Sequence, residues 1–141
     1  MNRSFIPQFA LFLLLGFSDA AFAQTVVKQV PPKPTVAIDG KDLYRQYCAA
    51  CHGIDGKGAG PAAPALKKAP TDLTRIAASN HGSFPDDRIM RILRGEEAIT
   101  AHGSTSMPVW GTVFSNMSPS VEMAQLRLHA LVNYLDKLQV K

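Results

Sequence analysis

Cys48-Ala49-Ala50-Cys51-His52 is the stretch on which the reading of this sequence turns. Three residues of separation set two thiols on one side of a helical turn, within reach of the two vinyl groups of one porphyrin. The next residue, His52, then offers a ring nitrogen to the iron. This C-x-x-C-H spacing is the attachment signal for a c-type haem. Three rival readings fit less well. A thioredoxin-like redox pair needs a surrounding βαβ pattern, and no segment here alternates as a strand would. A zinc site needs four ligands, whereas the chain has two cysteines in all. A plain disulfide leaves the adjacent His52 unexplained.

Working outward, Asp39 is a good N-cap, and the first helix is expected to run from there through Leu43, Tyr44 and Tyr47 towards Cys51. Residues 53–70 hold four glycines and three prolines. They read as a long irregular loop, and a loop of that length is uncommon without a function. A short helix is expected around Asp72 to Ala78. Another should start near Pro85 and stop at Gly95, with Ile89, Ile92 and Leu93 on one face. Glu96 to Ser118 reads as a second loop region and contains Met107-Pro108-Val109-Trp110-Gly111. Ser118-Pro119 opens the last helix, where Leu128, Leu131, Val132, Leu135 and Leu138 follow the three-and-four spacing of a buried stripe. The fold class is all-α, with short helices and two long loops.

The run from Cys48 to Leu66, the Met107-Pro108-Val109-Trp110-Gly111 segment, and a closing helix with Leu131, Tyr134 and Leu135 resemble small class I c-type cytochromes of bacteria, the His/Met-ligated monohaem cytochromes c. The resemblance spans about Asp39 to Leu138. It implies the cytochrome c fold, in which first and last helices cross near Gly40, Tyr44, Leu131 and Tyr134 with one covalent haem c between the loops. It implies an electron carrier and not an enzyme.

The sixth iron ligand then decides the chemistry. Similar cytochromes place their axial methionine in the same M-P-x-x-G setting, which points to Met107, with Pro108 stiffening the loop. Met90 and Met123 fall in expected helices, where methionine is usually a core filler. Met117, expected in a loop, and His102, five residues before Met107, are the competing ligands; His81 lies near a turn, and His129 is expected to be exposed. His52 should donate its other ring N–H to a backbone carbonyl. The resemblance suggests a proline carbonyl there, Pro64 in preference to Pro61. Trp110 is a candidate donor to a haem propionate, or else an ordinary core residue.

Residues 1–23 have the order of a secretory signal peptide: Arg3, an apolar run from Phe9 to Phe17, then Ala21-Phe22-Ala23. The run is too short to span a bilayer. Residues 24–38, with Pro31-Pro32-Lys33-Pro34, read as a flexible, extended, solvated arm, and residues 39–141 as the single domain. The expected compartment is the periplasm. The net charge of +4 favours acidic redox partners. Lys67, Lys68 and the Arg88, Arg91, Arg94 series are candidates to face them, although such spacing ordinarily marks a solvated helix face. No dense basic run interleaved with aromatics suggests nucleic acid. A monomer shuttling between donor and acceptor redox proteins is expected. The alternatives are a fixed haem subunit of a periplasmic dehydrogenase or oxidase, or an open-site haem enzyme or gas sensor.

Overall fold

The computed structural model describes residue 33, residues 35–97 and residues 107–140. The leader, residues 24–32 and 34 of the proline-rich segment, and His102 lie outside the described residues. Among those described, the elements are helical throughout: α1 (Gly40–Tyr47), α2 (Ala49–His52), three short 3-10 turns (Ala63–Ala65, Leu73–Arg75, Ala78–Asn80), α3 (Asp86–Arg94), α4 (Trp110–Met117) and α5 (Val121–Lys137).

Asp39 starts α1 as expected, its Oδ1 accepting from the amides of Lys41 and Asp42 at 2.9 and 3.2 Å. Two N–H groups that have no partner inside the helix are thereby satisfied. Pro85 precedes α3, and Gly95 ends it in the left-handed conformation at φ 77°. Ile89, Met90 and Leu93 bury its inner face, with Ile92 half-buried. Ser120 caps α5, accepting from the Met123 amide at 3.2 Å. Ala124, Leu128, Leu131, Val132 and Leu135 form its buried stripe.

Two expectations are corrected. The region expected to be helical over Asp72 to Ala78 is two 3-10 turns. The loop expected over Glu96 to Ser118 contains helix α4, so Met117 is its last residue and not a loop residue. The helix is hard to see in sequence because Val109 precedes it without a side-chain cap and Gly111 lowers its propensity. Gly111 is nevertheless needed, since a Cβ there would stand 2.9 Å from the Cα of Arg94 on α3.

The crossing of α1 and α5 organises the core. A Cβ on Gly40 would fall onto the backbone carbonyl of Ala130, so only glycine lets the two helices approach this closely. Below that point Leu43, Tyr44, Phe114, Leu128 and Leu131 are fully buried. Tyr44 packs on Tyr134 with ring centroids 5.3 Å apart. A backbone carbonyl cannot move aside as a side-chain tip can. Gly40→Ala should therefore lower stability by about 1–3 kcal/mol, the cost of overpacking, read as a fall in the denaturant midpoint.

Candidate haem-attachment site

The motif straddles a break. Cys48 ends α1 at φ −111°, ψ −36°, and α2 restarts at Ala49 for four residues only. A helix so short has no stability of its own, and its four carbonyls need donors from elsewhere. The glycine-rich loop supplies them. The amides of Gly53, Ala62, Gly60 and Gly58 donate to the carbonyls of Ala49, Ala50, Cys51 and His52 at 2.9, 2.8, 3.1 and 2.7 Å. The loop must lie flat against the helix end to do this. A Cβ on Gly60 would collide with the carbonyls of Ala49 and Ala50, and Gly58, at φ 86°, would collide with that of Pro70. The Tyr44 hydroxyl closes the turn from within the core, donating to the Gly53 carbonyl at 2.7 Å.

The same loop sets the histidine. Leu73 donates its amide to Gly56 at 2.7 Å, which brings the preceding Thr71 beside α2. His52 is 8% exposed, and its Nδ1 lies 3.0 Å from the Thr71 carbonyl. A proton held on Nδ1 by that carbonyl leaves the ring lone pair on Nε2, the arrangement a metal-binding imidazole needs. This corrects the expected partner. Pro64 sits exposed in the Ala63–Ala65 turn, and the carbonyl at His52 comes from Thr71, one residue beyond Pro70.

Further bonds hold the Thr71 region. Gln139 donates through Nε2 to Leu73 and Leu135 at 2.8 and 2.7 Å and accepts from the Ala77 amide at 2.9 Å. Asp72 Oδ1 accepts from the Thr74 hydroxyl at 2.6 Å and the Thr74 amide at 2.9 Å.

Cys48 is buried in the core and Cys51 half-buried, and the two are not joined in a disulfide. Burial, with Cys51 adding to it, pushes the Cys48 thiol up to about 12, and burial raises Cys51 as well. A thioredoxin-like pair requires the opposite shift, towards thiolate. Two cysteine side chains one turn apart and an imidazole whose Nδ1 lies against a backbone carbonyl are a set that fits a covalently attached haem. Among the described residues no cluster of three or more His, Cys, Asp and Glu side chains could hold a metal ion by itself.

Met107 is half-buried and packs against the hydrophobic core that contains Cys48 and Trp110. Trp110 is 5% exposed and packs on Tyr47 and Phe114, with ring centroids 5.6 and 5.8 Å apart. Met90 is buried and Met123 half-buried within helices, while His81 and His129 are exposed. Arg88 and Arg91 both reach Glu97, at 2.8 and 3.4 Å, which offsets part of the basic face of α3; Lys67 and Lys68 stay exposed.

The model of a protein family described as "Cytochrome C oxidase, cbb3-type, subunit III" matches residues 36–120, more than half of the chain. No curated protein and no solved structure matches it.

The Thr74 hydroxyl, before any other influence, holds the Asp72 carboxyl below the usual carboxylate range. A pKa lower folded than unfolded gives stability that is present above the unfolded value and is lost as pH falls through the folded one. Asp72→Asn should therefore flatten the decline of thermal stability that sets in from about pH 5 downward, measured as melting temperature against pH.

Proposed function

The chain belongs to the cytochrome c family that this match describes, and from that premise we propose that it carries single electrons between redox proteins as a periplasmic monohaem cytochrome. Its cofactor is covalently bound haem c. The observation that carries the reading is the pairing of the two thiols with a histidine whose Nδ1 lies against the Thr71 carbonyl. Cys48 and Cys51 would hold the haem, and His52 and Met107 would ligate its iron. When bound, the haem supplies one-electron exchange at its iron.

The chain's own residues set the terms of that exchange. His52, oriented through Thr71, is a basic imidazole ligand with a fixed ring plane. Met107 is a neutral thioether that donates less electron density than a second imidazole, so it disfavours ferric iron and raises the potential. With a side chain on each side, small molecules are kept from the metal, and carrier behaviour follows where an open site would give substrate chemistry. Lys67 and Lys68 on the first loop suit a small, transient, electrostatically guided encounter with an acidic partner.

Export is supported by the leader-like order of residues 1–23. No helix among the described residues is long and apolar enough to cross a membrane. A second reading, a fixed haem subunit, is favoured by the wording of the family description, which names an oxidase subunit. It predicts recovery of the protein from its host in constant ratio with a larger complex, whereas a carrier is released alone.

The ferric protein should show the weak long-wavelength absorption band of methionine-bound haem. Met107→Ala should abolish that band and let the ferrous protein bind carbon monoxide readily. An unaltered protein that lacks the band and binds carbon monoxide readily overturns the carrier reading.

A further inference from the structure

Arg127 lies on the buried side of α5 between Ala124 and Leu128 and is 3% exposed. Among the described residues no carboxylate pairs with it, so the cost of burying its charge must be offset by neutral acceptors. It has four. Nε donates to the Ala37 carbonyl at 3.1 Å and Nη2 to the Thr35 carbonyl at 2.6 Å. Nη1 donates to the Ser118 hydroxyl at 2.8 Å and to the Met117 carbonyl at 3.5 Å. The guanidinium thus joins the segment that precedes α1 to the C-terminal end of α4, where a positive charge also complements the helix dipole.

The other end of α4 is tied to the same segment by Tyr47. Its hydroxyl donates to the Lys33 carbonyl at 2.8 Å. Its ring packs on Trp110, the first residue of α4, and on Phe114 one turn later, with centroids 5.6 and 5.5 Å away. Helix α4 is eight residues long and has no side-chain N-cap. It is too short to hold itself, and Met107 stands three residues before its start.

We propose that Lys33 and residues 35–37, clamped by Arg127 and Tyr47, form a strap that fixes both ends of α4 and thereby holds Met107 in its ligating position, with Arg127 as the positioning residue. The proposal rests on Met107 being the axial ligand. It also gives the proline-rich arm a task at its inner end, where the sequence suggested only a solvated tail.

The test is carried out on the full haem-loaded protein by denaturant titration, following the methionine-dependent band and the far-ultraviolet helix signal together. The quantity read is the gap between the two midpoints. Arg127→Met and, to a smaller extent, Tyr47→Phe should move the loss of the band to lower denaturant relative to the helix signal. Arg127→Lys should open a smaller gap than Arg127→Met, since an ammonium offers donors without the fork. Leu135→Ala, a core truncation two turns further along α5, should shift both midpoints together. If Arg127→Met does not accumulate, Tyr47→Phe decides. A gap unchanged in these variants overturns the strap while leaving Met107 as ligand. An unaltered protein without the band overturns both.

Discussion

A one-turn helix cannot satisfy its own carbonyls, and the rest of this structure depends on how that is solved at Ala49–His52. The four acceptors are met in turn by the amides of Gly53, Ala62, Gly60 and Gly58. To reach them the loop must pass close over the helix end, which is why glycine recurs every two or three residues between 53 and 60. That path carries the chain to Pro70 and Thr71, so the backbone group that orients His52 arrives as part of the same solution. Spacing of the cysteines, composition of the loop and tautomer of the histidine are one constraint seen at three scales.

The two sides of the site are held by different means. On the histidine side the hold is backbone to backbone, reinforced by Tyr44 at Gly53 and by Gln139 across the Leu73 to Ala77 turns. On the side proposed for Met107 the hold falls to helix α4, which is braced by the packing of Trp110 and Phe114 and by the Arg127 guanidinium at its last carbonyl. In the proposed ligation the thioether is the weaker ligand, and it stands three residues before a short helix that lacks a side-chain cap.

Much of this was legible in the sequence, and the reasons differ from residue to residue. Cys48, Cys51 and His52 declare themselves by spacing, and Asp39, Gly95 and the α5 stripe by local rules of capping and periodicity. Helix α4 is hard to read because its signal, Trp110, Phe114 and Met117 at helical intervals, has no cap to announce it and contains a glycine. Thr71 could not be found, since a backbone carbonyl carries no mark in the sequence and its arrival beside His52 depends on the path of the whole loop. Arg127 did leave a trace: it falls within the buried stripe of α5, at a position where a charge demands a partner.

The strap and the helix crossing also have a consequence in time. Arg127 bonds residues 90 and 92 positions earlier in the chain, and Gly40 meets Ala130 across a similar span. Contacts between the two extremes of a domain are reached only after the long loop-closure entropy between them has been overcome. They also cannot form until the last helix has been synthesised. The segment that opens the domain therefore waits for the segment that ends it, and the contacts between the two ends are among the last to close.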